Sequence, residues 1–479
     1  MSTFSRRISV LLCVAAATAG CSGDSAMEPL DPGVRQVATV EVDAPDSLLI
    51  GHSVTLTARA MDAHGETIGG KSFTWQSSDD ECVTVDEQGR VTARDEGDVT
   101  ITATTEGKSG SAFIEVEPFR SSITAILDSL RAFLSLSGQT GELPALGGAI
   151  VTHDTVLALD AVGRRRASSP TPVTATDKFH LGSNTKAMTA GLIAKLVDQG
   201  LLSWDMRLQE ALPDLAEEMR IEYRNCTIVD LLSHGARLPR DPQAGRSYQD
   251  PAKAQRREAV RWGITQPPAT EEGGFSYSNL GYIVAGYIAE RVADQVFEEL
   301  MTERLFIPMG MTSAGFGAMG TPGEEDQPWQ HYTDGQGQLV EVPPGPHADN
   351  PPAYSPAGRA HMSLGDWAKY LQAVLEAERG ESTLWSQASA VKLTSPYGPW
   401  GSQQGNDSIA LGWLITRRHW PPGRILVHDG SNGKSYSSAS VALDAGFAVM
   451  VVTNQGGYLA RNVVASAKNR LVEFFRTGL

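Results

Sequence analysis

The chain has 479 residues, 41% of them hydrophobic and 20% charged, with a net charge of -16 and a pI near 5.1. That length exceeds one ordinary core and predicts two or three domains. The acidic balance excludes the basic surface that nucleic acid or an anionic bilayer requires, so nucleic acid is not expected as a partner.

Residues 1–20 read as a leader. Arg6 and Arg7 give a charged head, and the apolar run Ile8 to Ala19 is shorter than the roughly 20 residues a bilayer span needs. The run ends in Thr18-Ala19-Gly20-Cys21, which resembles a bacterial lipobox with threonine in place of the usual leucine. In that reading Cys21 carries lipid and joins the chain to a membrane, and residues 21–36 are a tether. Cleavage by an ordinary secretory peptidase nearby is the alternative. Either way the body of the protein is expected outside the cytoplasm, in a bacterial cell envelope or secreted. Of the remaining cysteines, Cys13 leaves with the leader, while Cys82 and Cys226 fall in different predicted domains, so no disulfide is expected between them.

Residues 37–117 alternate in short runs separated by Asp and Gly turns: "VATVEVDAP", "SVTLTARAMD", "FTWQSSD", "CVTVDEQGRVTARD" and "DVTITATTEG". Strands at that spacing predict a β-sandwich. The segment resembles the bacterial Ig-like group 2 domain through Trp75-Gln-Ser-Ser-Asp79, Val83-x-Val85-Asp86, Gly89-x-Val91-Thr92-Ala93 and Gly97-x-Val99-x-Ile101. The resemblance implies a spacer or adhesive module.

A second domain is expected over 119–479. Ile123, Ile126, Leu127, Leu130, Phe133 and Leu134 recur at helical spacing, and "GGAIVTHDTVLALDAVG" reads as a hairpin. Helices are expected after Ser183 and over Ile228–Ser233, Lys253–Ile264, Leu280–Val292 and Trp367–Ala377. Met311 to Pro356 is rich in Gly and Pro without periodicity, which marks a functional loop or a disordered one. Late strands, "SIALGWLITRR", "RILVHDGSNGKSYSSASVAL" and "FAVMVVTNQ", precede a C-terminal helix from Ala460 to Phe475. The pattern predicts an α/β domain whose sheet is completed by both ends of the segment, with helices inserted between.

Ser-x-x-Lys occurs at Ser183/Lys186, Ser389/Lys392 and Ser431/Lys434. Only the first follows a glycine at the head of an apolar helix, where free N–H groups favour a developing oxyanion and a lysine one turn on reaches the serine. Ser389 reads as part of a polar surface helix and Ser431 as part of a Gly/Asn turn. Tyr-x-Asn occurs at Tyr223/Asn225 and Tyr277/Asn279. The second lies in "GGFSYSNLGY", a glycine-led turn into an apolar helix, and a lysine ammonium beside Tyr277 would favour its phenolate. His234 in "LLSHGARLP" reads as a structural histidine after a short helix.

Ser183-Asn-Thr-Lys186, Tyr277-Ser-Asn279 and His428-Asp-Gly430 fall in the order and approximate spacing of the serine β-lactamase/penicillin-recognising superfamily, class C type, which the chain resembles from about Ser121 to Leu479. "LLSHGARLP", "FIPMGMTSAGF", "SPAGRAHMSLGDWAKYL" and "LGW" extend the resemblance. It implies a transpeptidase-like fold, an antiparallel sheet flanked by helices with an inserted helical region. It also implies an acyl-enzyme on Ser183, with Lys186 and Tyr277 handling its proton and Tyr277 the general base. Asn279 would bond Lys186 or the substrate's acyl amide. The strand motif of His428 and Gly430 would lead to Ser431, whose N–H would complete an oxyanion hole with that of Ser183. No metal or cofactor is called for.

The third motif is where family members acting on penicillins often carry Lys-Thr-Gly. Histidine is only partly charged near neutrality, and Asp429 would repel a carboxylate if it faced the cleft. The departure points to an esterase or a D-amino-acid peptidase or amidase rather than an efficient β-lactamase. Small acyl esters, amides or peptidoglycan-type peptides are the expected substrates, and Trp400 and Trp413 are candidates for shaping the pocket. The contrasting reading is a non-catalytic cell-wall-binding lipoprotein on a degenerate penicillin-binding fold.

Overall fold

The computed structural model describes residues 35–50, 52–117, 119–133, 143–272, 274–399, 407–417 and 423–477. The leader with Cys21, and Trp400, lie outside them.

Residues 35–117 form the sandwich expected from their alternation. Ser47–Leu49, Lys108–Glu117, Gly97–Thr105 and Thr74–Ser77 make a four-stranded sheet, with two three-stranded sheets beside it. Every second residue turns inward, so Val83, Val91, Val99, Ile101 and Ile114 form the core. Cys82 and Cys226 are both free thiols.

The second domain is built on an eight-stranded antiparallel sheet. In spatial order the strands are Val156–Gly163, Ala145–Thr152, Phe447–Thr453, Tyr436–Ala442, Arg424–Ser431, Leu414–Arg417, Ser408–Ile409 and Gly398–Pro399. The first strand of the domain pairs with the last, Leu146 opposite Thr453, so both ends of the segment close one sheet. Period-two alternation divides the core. Phe447, Val449 and Val451 face the helices Phe119–Phe133 and Tyr458–Thr477, whereas Ala448, Met450 and Val452 face the inserted helical region.

That region supplies the helices that carry the site. Thr185–Asp198 is buried on almost every side, including Lys186, and lies in one apolar core with Asn279–Ala293 and Leu364–Arg379. The stretch from Met311 to Pro356 holds two-stranded pieces, Gln330–Thr333 with Leu339–Val342, and short 3-10 turns. Two readings are corrected. Ser389 is buried, not on a surface helix, because its hydroxyl donates to Asp198 at 2.7 Å and ties Gln387–Thr394 to the end of the Thr185 helix. Trp413 is a core side chain, so it does not shape the cleft.

Candidate active site

Ser183 sits in a single 3-10 turn, Gly182–Asn184, between the short strand Phe179–His180 and the helix that starts at Thr185. Gly182 adopts φ +51°, and a β-carbon there would lie 2.2 Å from the nitrogen of Ser431. A β-carbon on Gly430 would lie 1.9 Å from the carbonyl oxygen of Leu181. Two glycines therefore let the end of the strand Arg424–Ser431 rest directly on the turn that holds Ser183. Asn184 tightens the junction by donating to Ser437 Oγ at 2.8 Å, and that hydroxyl donates to Leu181 O at 2.7 Å. The backbone N–H groups of Ser183 and Ser431 thus belong to two segments in direct contact beside the cleft.

Lys186 is fully buried, with Nζ 3.1 Å from Ser183 Oγ, 2.7 Å from Asn279 Oδ1 and 2.6 Å from Ala357 O. As an ammonium it donates to all three. As an amine it donates to Asn279 and Ala357 and offers its lone pair to the serine hydroxyl. Burial pushes its pKa well below the usual lysine range; Asp241 opposes that shift and Arg240 adds to it. Asn279 is held in turn by Asp241, whose Oδ1 accepts its Nδ2–H at 2.7 Å.

Tyr277 lies against this pair, its ring 4.9 Å from Lys186 Nζ and its hydroxyl bonded to Ser183. Burial pushes the phenol up to about 12 and outweighs the Ser183 bond and Arg240, which pull it down. The phenolate expected from the neighbouring lysine is therefore not the favoured form, and Lys186 is the group whose proton is loosened. His234 lies against Tyr277, with ring centroids 4.6 Å apart and planes tilted by 36°, and its Nδ1 accepts the N–H of Ser278 at 3.1 Å. Burial and then Lys186 hold its pKa well below the ordinary value. An unprotonated imidazole fixing the Tyr277 turn is a structural role, as its position after a short helix suggests.

His428 faces the cleft, its ring 6.4 Å from that of Tyr277, with Nδ1 2.7 Å from Asp429 O. Burial, then Lys186, lowers its pKa to about 4, so it brings no positive charge at neutral pH. Asp429 is engaged by Tyr436 Oη at 2.9 Å and Ser438 Oγ at 2.5 Å on the adjoining strand.

Ser183, Tyr277, Asn279, His428, Gly430 and Ser431 all line one cleft of ≈ 570 Å³. Arg240 also lines it, its side chain 72% exposed and its guanidinium 5.5 Å from the Tyr277 ring. Sequence reasoning passed over Arg240 and Asp241, though they directly follow "LLSHGARLP". Of the alternative pairs, Tyr223 is buried in the core.

Residues 131–473 match the Beta-lactamase family and residues 36–116 match the Bacterial Ig-like domain (group 2). The unguisins hydrolase of Aspergillus campestris is 29% identical over 301 residues, 59% of this chain and 54% of that protein. The chain thus spans about half the length of that relative. Penicillin-binding protein 4 of Amycolatopsis lactamdurans is 28% identical over 293 residues, 59% of this chain and 74% of that protein. Among solved structures, D-amino acid amidase from Ochrobactrum anthropi superposes with a TM-score of 0.60 at 20% identity, over 75% of this chain and 99% of that one. D-alanine carboxypeptidase from Burkholderia cenocepacia gives 0.56 at 18%, over 74% and 99%. With the family match running through nearly all of the second domain, the chain belongs to the Beta-lactamase family, preceded by a group 2 bacterial Ig-like domain.

Proposed function

We propose that the protein is an exported serine hydrolase that opens an ester or amide through an acyl-enzyme on Ser183. The observation that carries the reading is the buried Lys186 amine 3.1 Å from a serine hydroxyl that lines an open cleft. Lys186, its charged form destabilised by burial, takes the Ser183 proton as Oγ attacks the carbonyl carbon. The oxyanion forms at the N–H groups of Ser183 and Ser431, each worth about 3 kcal/mol in such a hole. As the tetrahedral centre collapses, the Tyr277 hydroxyl protonates the leaving group and is refilled from the Lys186 ammonium. Water then enters and attacks the acyl carbon, giving a proton to the same relay, which returns it to Ser183 Oγ as the carbon–Oγ bond breaks and the acid leaves.

His428 holds the place of a lysine and is uncharged at neutral pH, so it does not itself bind a substrate carboxylate, and Arg240 and Lys468 are the cations that line the cleft. Similar proteins carry the names hydrolase, D-amino acid amidase and D-alanine carboxypeptidase, and in our reading short acyl esters and D-amino-acid amides fit this site better than penicillins. Cys21, at the end of the apolar leader, would tether the enzyme to a membrane of the cell envelope. A fluorophosphonate probe tests the reading: it labels the wild type and not Ser183→Ala. Labelling that survives the substitution overturns it, and an unlabelled wild type that still binds peptidoglycan favours a binding module.

A further inference from the structure

Behind the site, outside the catalytic set, lies a buried carboxylate from the Gly/Pro-rich stretch. Asp349 is 2% exposed and His180, two residues before Gly182, is 1% exposed. His180 Nε2 lies 2.9 Å from Asp349 Oδ2, and its Nδ1 accepts the N–H of Gly182 at 3.1 Å. A ring that accepts at Nδ1 carries its proton at Nε2, toward the carboxylate. On the other side, Asn432 Nδ2 donates to Asp349 Oδ1 at 3.1 Å. Asn432 directly follows Ser431, and its Oδ1 accepts the N–H groups of Lys434 and Ser435, both at 3.1 Å, which fixes that turn. Arg359 Nε, 3.4 Å from Oδ2, completes the charge balance. Burial pushes the Asp349 carboxyl up, but His180, Arg359 and Asn432 outweigh it and hold it at about 2.

We infer that Asp349 is a positioning residue for the oxyanion hole: one carboxylate grips the turn before Ser183 through His180 and the turn after Ser431 through Asn432, and so sets the separation of the two donors. Apolar packing would hold this loop at lower desolvation cost. What the buried anion adds is a close polar contact with His180 on one side and a hydrogen bond from Asn432 on the other, both made to one carboxylate. The inference rests on the acyl-enzyme reading, in which those two N–H groups receive the oxyanion.

The test uses the full chain with Asp349→Asn and Asn432→Ala, beside the wild type and Ser183→Ala. kcat and KM are measured on a p-nitrophenyl ester, together with Kd for phenylboronic acid, whose tetrahedral adduct places an oxygen in the hole, and Tm. Removing an oxyanion donor costs about 10²–10³ in kcat, so misplacing one in Asp349→Asn is expected to cost about 10- to 100-fold. Boronate binding should weaken by the same factor while KM stays within about threefold. Asn432→Ala should show the same pattern, more weakly. A merely structural role would lower Tm and leave kcat per folded molecule and boronate affinity at wild-type values; that result overturns the inference. Should Asp349→Asn fail to fold, wild-type kcat and boronate affinity in Asn432→Ala overturn it alone. Loss of the underlying acyl-enzyme reading shows separately, as equal turnover in wild type and Ser183→Ala.

Discussion

The proton balance at Lys186 governs the chemistry of single residues. Its burial makes the charged form costly, so between its depressed pKa and the ordinary lysine value of 10.5 the unfolded chain holds a proton that the folded chain does not. Stability therefore rises with pH across that window, by about 1.4 kcal/mol per unit from this group. The difference in unfolding free energy between wild type and Lys186→Met is expected to grow in favour of the wild type as pH rises from 7 to 9, read by denaturant titration. A flat difference would place the lysine pKa near its ordinary value. Tyr277→Phe keeps the ring against Lys186 and His234 but removes the hydroxyl bonded to Ser183. It should lower kcat on an amide about 10²- to 10³-fold, and on an ester with a good leaving group much less, since only the amide nitrogen needs a proton. Equal losses on both would contradict its role as donor. The residues themselves were legible because Ser183, Lys186, Tyr277 and Asn279 stand in short local patterns. Their ionisation was not, because the burial that raises Tyr277 and lowers Lys186 is made by the packed fold, in which groups as remote in sequence as His234 and Ala357 meet the pair.

At the scale of elements, backbone contact brings the strand and the serine turn together, and side chains such as Asn184 tighten the junction. The strand Arg424–Ser431 reaches the Ser183 turn only because positions 182 and 430 lack a β-carbon. Gly430→Ala should reduce kcat at least about 100-fold, because Leu181 O must move and the two oxyanion donors separate with it; kcat within threefold of wild type would contradict the contact. Helices over Thr185–Asp198 and Asn279–Ala293 were readable from their apolar character, and the strand Phe447–Thr453 from its continuous apolar run. The stretch containing Asp349 carried no such signal. It is held by the close contact of Asp349 with His180 and by hydrogen bonds from Asn432 and Lys434, not by a periodic apolar face, so its place behind the cleft emerges only in three dimensions. Ser389 was misread for a related reason: its partner Asp198 is remote in sequence.

At the scale of the whole molecule, the Ig-like domain touches the second domain through Leu49. Leu49, on the short strand Ser47–Leu49, joins Ile123, Leu127 and Leu471 in the apolar cluster behind the catalytic sheet. Leu49→Ala is expected to destabilise by about 2 kcal/mol while leaving kcat and KM unchanged, since that cluster lies on the sheet face opposite the helical region bearing the site. Altered kcat at unchanged Tm would instead couple the Ig-like domain to the cleft. Two domains and their order were legible from the change of hydrophobic period near Pro118; their shared core was not, because a single leucine makes it. The central claim for the molecule remains the covalent intermediate on Ser183. The most direct test mixes the protein with a slowly deacylating ester, quenches in acid and reads the intact mass, with Ser183→Ala alongside. The account predicts a mass increase equal to the acyl group, on the peptide containing Ser183, and none in the variant; turnover with no adduct, undiminished in Ser183→Ala, would contradict it.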